Sequence, residues 1–250
     1  MKSSRFLIIN ADDLGISHEV NQGIFTAHKK GVITDASLLI KGPYCSEAIA
    51  MIKNIPSFQV GIHIDLDPVL GWKSPGRERL TRSELRAMMD APGFGPHVKR
   101  EIDEQIRAFL DAGLTPSHID THHHVHGFPQ IFDHLVAAME RYGIKAIRFS
   151  KTGYALLGRE DILLTTNTTQ RMEEKLRAQG IVYPHLLIDP RMPFSLKELP
   201  PGVTELMVHP GVGGDQWRQR DFEMIMDPGF KKTLHDEAIQ LIGFAEIDIN

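Results

Sequence analysis

Histidine is concentrated at one point of this 250-residue sequence. The segment from His118 to His126 reads His-Ile-Asp-Thr-His-His-His-Val-His, which places four imidazoles within five positions. Burying so many imidazoles together is costly without a partner, and histidine is the commonest protein ligand of metal ions. The segment therefore predicts a metal site. His122 and His126 have the spacing of one helix face, whereas His122 and His124 share one face of an extended chain, so spacing leaves the ligating residue open.

Other side chains capable of chemistry fall at the ends of short apolar runs. They are Asp12, Asp13, His63, Asp120, Arg148 and His209. Two adjacent carboxylates that share a site do not both ionise readily without a cation nearby. Two histidines and one carboxylate also leave positions on a divalent cation open for water and substrate. We therefore predict a metal site with two histidines and one carboxylate.

The elements that must position these residues alternate between short apolar runs and segments of helical period, which predicts repeating β–α units. Strands are predicted at 6–9, 36–40, 60–64, 118–121, 146–149, 185–188, 205–208 and 245–249. Helices are predicted from Ser17 to Gly31 and at 45–53, 97–112, 131–142, 170–179 and 230–242. Seven or eight strands in this rhythm favour an α/β barrel, in which sites form where the strands end.

The composition favours one soluble domain spanning 1–250, with a long loop excursion at 67–96 that is rich in glycine, proline and charge. A formal net charge of -4 argues against a nucleic-acid-binding surface. The single cysteine, Cys45, excludes an intrachain disulfide and argues against thiolate ligation of a metal. The apolar run near the N-terminus is too short for a signal-peptide core or a membrane span, which predicts a cytoplasmic protein.

Four motifs resemble those of the YdjC-like family, which includes chitooligosaccharide deacetylases and the deacetylase associated with hopanoid biosynthesis. They are Asn10–Gly15, Gly61–Leu66, Ser117–Pro129 and Met207–Gly211. The motifs occur in the family's order and extend from the first predicted strand to the seventh. Leu14 stands where the family usually has phenylalanine, a conservative departure. The resemblance implies a distorted TIM-like (β/α) barrel related to the polysaccharide deacetylases.

The resemblance also implies a role for individual residues. Asp13, His63 and His122 would bind one divalent metal ion. Asp12 would act as general base and His209 as general acid in removing an N-acetyl group from a small amino sugar or oligosaccharide. Side chains expected to orient these groups or to contact substrate are Asp120, His124, His126 and Arg148. A homodimer is a further expectation from the resemblance.

Substrate recognition and metal identity are less legible in the sequence. Trp72 and Trp217 are candidates to stack on a sugar, because an apolar sugar face suits an aromatic ring, although ordinary packing explains each equally well. Arg218 could contact an anionic substrate or be solvated. Two imidazoles favour zinc, whereas a carboxylate and several waters suit magnesium.

Three other functions are compatible with a metal-loaded barrel. The first is hydrolysis of another amide or ester, although two-metal phosphoesterases need more ligands than these strand ends offer. The second is a sugar-binding barrel without turnover, which would need neither Asp12 as base nor His209 as acid. The third is a sugar isomerase, which would release no acetate.

Overall fold

The computed structural model describes residues 4–71, 82–149 and 166–248, and within them seven parallel strands form one curled sheet. The strands are β1 (Arg5–Leu14), β2 (Asp35–Leu38), β3 (Gln59–Ile64), β4 (Ile119–Thr121), β5 (Leu186–Ile188), β6 (Gly202–Val208) and β7 (Ile239–Leu241). The helices are α1 (His18–Lys29), α2 (Cys45–Lys53), α3 (Arg82–Met89), α4 (Phe94–Asp111), α5 (Pro129–Tyr142), α6 (Thr166–Ala178), α7 (Gln216–Met226) and α8 (Pro228–Asp236). None of the helices in these ranges is long and apolar enough to cross a membrane.

The strand order is β4-β3-β2-β1-β6-β5, and β7 also pairs with β1. One edge of β1 pairs with β6 over Arg5–Ala11. The other edge is divided, because Arg5–Leu7 pairs with β7 and the part from Asn10 onward pairs with β2. A central parallel strand is covered on both faces and therefore consists of buried residues, as β1 does from Leu7 onward.

The two ends of the sheet approach each other through one short segment. Isolated parallel bridges join Ile119 to Ile147 and Ala146 to Val182, which extends the sheet beyond β4. Val182 shortly precedes β5, which pairs with β6 at the opposite end of the sheet. The result is a curled, barrel-like sheet, as the sequence predicts, although the strand predicted at 146–149 is reduced to these two bridges.

The helix termini follow the local sequence. The Ser17 side chain caps α1 by accepting a hydrogen bond from the Val20 N–H at 3.2 Å. Gly143, with φ 73°, ends α5 in the left-handed conformation that glycine adopts without a steric penalty. On α4 the predicted apolar face is fully buried at Val98, Ile102 and Ile106. Burial of each such side chain contributes about 1.5–3 kcal/mol to folding.

Three sequence predictions are wrong at the level of elements. The segment 67–96 is not loop throughout, because α3 lies within it and packs Met88 and Met89 on the core. The helix predicted at 230–242 ends at Asp236, where Ala238, with φ 50°, turns the chain into β7. Within the strand predicted at 245–249, the chain instead forms a 3-10 turn at Phe244–Glu246, and residue 249 lies outside the described residues.

Candidate active site

The last residues of β1 bring two neighbouring carboxylates to one rim of the sheet. Asp12 and Asp13 lie within β1, whereas the sequence predicts that they follow this strand. The pairing of β1 with β2 is irregular between Ala11 and Leu14, and Asp13 has a positive φ of 66°. Successive side chains of a regular strand point to opposite faces, and irregularities of this kind re-aim them. Both carboxylates are buried beside the candidate site.

Asp13 is accompanied by one histidine from β3 and one from the turn after β4. Its Oδ1 atom lies 3.5 Å from His63 Nε2 and 3.8 Å from His122 Nε2. This oxygen is buried and has no hydrogen-bond partner. The structure therefore places together the three residues that the family resemblance implies as metal ligands.

A second set of carboxylates lies behind the two imidazole rings. His63 Nδ1 is 2.7 Å from Asp120 Oδ1, and His122 Nδ1 is 3.3 Å from Asp67 Oδ2. Burial would raise the pKa of Asp120, but the charges of Arg148 and His63 outweigh it and hold that pKa well below its usual value. An ionised Asp120 keeps the proton of His63 on Nδ1, which directs Nε2 toward Asp13.

Without a cation the two rings are strongly basic. Burial disfavours charge on His122, but the neighbouring carboxylates of Asp65 and Asp67 outweigh it and raise its pKa to about 9. Burial is likewise outweighed at His63, where Asp120 raises the pKa well above its usual value. The site therefore has a local excess of negative charge, which protons or a metal ion can neutralise.

Two of the separations among these donors are close to those between ligands of one divalent cation. Tetrahedral ligands at about 2.0–2.2 Å from a metal lie roughly 3.3–3.6 Å from one another. The separations of 3.5 and 3.8 Å around Asp13 Oδ1 are close to that range and too long for hydrogen bonds. A carboxylate oxygen and two imidazole nitrogens are also a common donor set for such ions.

Within the described ranges, the groups of three donors whose ligand atoms all lie within 4.8 Å of one another are Asp12 with His63 and Asp120, and Asp67 with His122 and His123. In the first group the Arg148 guanidinium bonds both carboxylates, at 2.7 Å from Asp12 Oδ2 and 2.7 Å from Asp120 Oδ2. A guanidinium that bonds both carboxylates of this group disfavours a metal ion between them. The second group is separate from Asp12 and Arg148.

Arg148 is fully buried among three carboxylates. Its Nη1 and Nη2 donate to the two oxygens of Asp12 at 2.7 and 2.6 Å. Its Nε and Nη2 donate to Glu205 Oε1 at 2.8 and 2.6 Å. Burial raises the pKa of Glu205 to about 7, although Arg148 opposes the shift. Glu205 is not among the site residues predicted from the sequence. The signal that could have identified it is a charged residue within an otherwise apolar strand.

His209 lies on the other side of Asp12. Its Nε2 is 3.8 Å from Asp12 Oδ2, and its backbone N–H donates to Asp221 Oδ2 at 2.8 Å. Burial lowers the pKa of His209, and the charges of Asp12 and Asp13 partly offset this effect. The Trp217 ring packs edge-on against His209 with centroids 5.2 Å apart. The structure thus brings Trp217 to the site, whereas Trp72 lies outside the described residues.

Arg218 is the second residue whose position the sequence did not reveal. Its Nη2 donates to Asp13 Oδ2 at 2.6 Å, and its guanidinium lies 4.3 Å from the centroid of the Trp217 ring. A cavity of about 230 Å³ opens beside it, between the start of α1 and the segment after His209. Arg218 therefore fixes the Asp13 oxygen that the histidines do not face.

His124 and His126 support the segment that carries His122. His126 Nδ1 is 2.7 Å from Thr121 Oγ1, and the rings of His124 and His126 pack edge-on with centroids 6.1 Å apart. His123 and His124 have left-handed backbones, with φ of 57° and 56°. Such conformations are strained in residues other than glycine and persist where the surrounding contacts over-determine them.

Known proteins resemble this chain over most of its length. A carbohydrate deacetylase from Brevibacillus brevis is 30% identical over an alignment 259 residues long. The alignment covers 96% of this chain and 99% of that protein. A chitooligosaccharide deacetylase from Citrobacter koseri is 30% identical over 182 residues, 71% of each chain.

Among solved structures, a crystal structure of an Enterococcus faecalis protein matches with a TM-score of 0.70 at 23% identity, covering 97% of this chain and 98% of that one. This likeness confirms the predicted α/β barrel-like fold. A sequence profile of the YdjC-like protein family matches residues 6–236. The chain therefore belongs to the YdjC-like protein family, in which its relatives are named carbohydrate and chitooligosaccharide deacetylases.

Proposed function

We propose that this protein is a metal-dependent hydrolase that removes an N-acetyl group from a small amino sugar or oligosaccharide. The observation that carries the proposal is the buried Asp13 Oδ1 atom, which has no hydrogen-bond partner and faces the Nε2 atoms of His63 and His122. Three donors in this arrangement support one divalent cation with open positions. The names of the relatives support an N-acetylated sugar as substrate.

Asp13, His63 and His122 would hold the cation, and the carboxylates of Asp120 and Asp67 would orient the two imidazoles. A divalent cation at this position supplies a Lewis acid for the acetamide carbonyl and acidifies water. The nitrogen donors favour zinc, while the carboxylate and the open positions suit magnesium, so both ions belong in the test.

Asp12 is the proposed general base. Arg148 and the Asn10 amide, which donates to Asp12 Oδ1 at 2.7 Å, hold its carboxylate in one orientation. From the end of β1 this carboxylate accepts the proton of the water that attacks the acetyl carbon. Holding the base in place before the reaction removes an orientational cost from the transition state.

His209 is the proposed general acid. An amide anion is a very poor leaving group, so cleavage of the C–N bond requires a proton on the departing nitrogen. His209 lies close enough to Asp12 for base and acid to serve one scissile bond, because its Nε2 is 3.8 Å from Asp12 Oδ2. Protonated His209 delivers this proton, and the products are acetate and a free amino sugar.

A substrate panel tests this proposal. Metal-stripped protein, with zinc or magnesium restored, would be assayed for acetate release from N-acetylated mono-, di- and trisaccharides. We expect metal-dependent acetate release from at least one member, and loss of that release in the variant His209→Asn. The matched control is His185→Asn, which we expect to retain activity. His185 Nδ1 accepts a hydrogen bond from the Val203 N–H of β6 at 3.1 Å.

If no member of the panel releases acetate while the metal is bound, the proposal of an N-acetylated sugar as substrate is overturned. The same catalytic centre on another amide or ester, or a sugar-binding barrel without turnover, would then replace it. The cytoplasmic location and the homodimer stay predictions.

A further inference from the structure

A second group of donors lies on the opposite side of the His122 ring from Asp13. The Asp67 Oδ2 atom is 3.3 Å from His122 Nδ1 and 3.3 Å from His123 Nε2. The rings of His122 and His123 are stacked with centroids 3.7 Å apart. These three residues offer donor atoms that all lie within 4.8 Å of one another.

The carboxylate of Asp67 has an unsatisfied atom. Asp67 is only 6% exposed, and its Oδ1 is buried without a hydrogen-bond partner. A buried carboxylate oxygen without a donor costs free energy, which a bound cation would recover. The 3.3 Å separation between Oδ2 and His123 Nε2 matches the edge of a coordination tetrahedron, roughly 3.3–3.6 Å.

The backbone places His123 against this carboxylate at a conformational cost. His123 has φ 57°, a left-handed conformation that is sterically unfavourable for a residue other than glycine. Its side chain is 31% exposed, so a cation can reach the ring from solvent. Strained residues of this kind cluster at binding and catalytic sites.

We propose that Asp67 and His123 bind a second divalent cation of the zinc type. His122 stands between the two positions, since its Nε2 faces Asp13 and its Nδ1 faces Asp67. The second cation would lie between Asp67 Oδ2 and His123 Nε2, which are 3.3 Å apart, and His122 would remain a ligand of the first site alone. Nitrogen and carboxylate donors together suit zinc.

This site is weaker than the one proposed at Asp13, because only two residues supply its ligands and water completes the shell. The sequence offers few spare ligands at the strand ends. Asp67 lies beyond the end of β3, and only the fold brings it to the histidine segment after β4. The second cation rests on Asp67 and His123 and does not require that the first site be catalytic.

Zinc stoichiometry tests the proposal. Metal-stripped full-length protein would be titrated with zinc chloride by calorimetry, and bound zinc would be counted after gel filtration. We expect two ions per chain in the wild type and one in His123→Asn, with the weaker dissociation constant raised at least about 10-fold. Asparagine tolerates a positive φ, which protects the fold of this variant.

The control is His235→Asn, which removes a histidine that is 91% exposed and lies 3.7 Å from Asp236. This variant should keep both ions, whereas His63→Asn should keep the weaker ion and lose the tighter one. One ion in both the wild type and His123→Asn would overturn the second site and leave the first intact. Two ions retained in His63→Asn would instead overturn the centre at Asp13.

Discussion

Replacement of Arg148 by methionine is the sharpest perturbation of the site's electrostatics. The guanidinium is fully buried and holds Asp12 with two hydrogen bonds, at 2.7 and 2.6 Å. It also lies 2.7 Å from Asp120 and 2.6 Å from Glu205. Methionine fills a similar volume but leaves three buried carboxylates without the guanidinium that bonds all of them.

The expected loss in the free energy of unfolding is about 3–5 kcal/mol, the usual cost of removing one partner of a buried ion pair. The matched control is Arg141→Met. Arg141 bonds Asp103 at 2.6 and 2.8 Å, but its side chain is 43% exposed, so its loss should cost less than about 1 kcal/mol. Urea denaturation of both variants at pH 8 measures the difference.

The penalty at Arg148 should also depend on pH. Without the guanidinium, burial raises the folded-state pKa of Glu205 further above its unfolded value. Carboxylates with a raised folded pKa destabilise the fold at high pH, and this penalty shrinks as pH falls through the folded pKa. Burial already raises the pKa of Glu205 to about 7 with Arg148 present.

The deficit of Arg148→Met should therefore be smaller at pH 6 than at pH 8. The limit is roughly 1.4 kcal/mol per pH unit for each additional proton bound. A cost no larger than that of Arg141→Met at either pH would refute the argument that Arg148 balances buried charge.

Three further predictions concern the base, the metal and the packing. Asp12→Asn should lower kcat by about 10²–10⁴-fold with unchanged zinc uptake, and a wild-type rate would contradict its role as base. Zinc affinity should rise with pH, because binding displaces protons from His122, whose pKa is about 9. Calorimetry in buffers of different ionisation enthalpy reports these protons, and an identical heat in all buffers would contradict their release. Gly61→Ala would place a Cβ 2.4 Å from the His118 ring and should cost about 1–3 kcal/mol in urea denaturation. Gly93→Ala, which meets nothing within 4 Å, should cost much less, and equal losses would contradict this packing argument.

The sequence predicts the fold well where local signals agree with the tertiary structure. The apolar periodicity of α4, the cap at Ser17 and the stop at Gly143 are local features, and the structure keeps all three. The sequence fails where long-range pairing decides the outcome. Residues 239–241 continue a helical pattern, but pairing with β1 makes them a strand. The single domain over 1–250 stays a prediction.

The candidate site follows the same division. Motif positions identify Asp12, Asp13, His63 and His122, because each lies near the end of a recognisable strand. The residues that bond these side chains come from distant parts of the chain, and no local sequence pattern indicates the pairing. Arg148 bonds Asp12 across 136 positions, and Arg218 bonds Asp13 across 205 positions. Only the folded sheet brings such pairs together.

Anomalous diffraction at the zinc absorption edge, on crystals of the zinc-loaded wild type, locates the bound metal ion. We expect a strong peak about 2.0–2.2 Å from Asp13 Oδ1, His63 Nε2 and His122 Nε2. A strong peak between Asp12 and Asp120, or none near Asp13, would contradict the proposed metal centre and the hydrolytic function that depends on it.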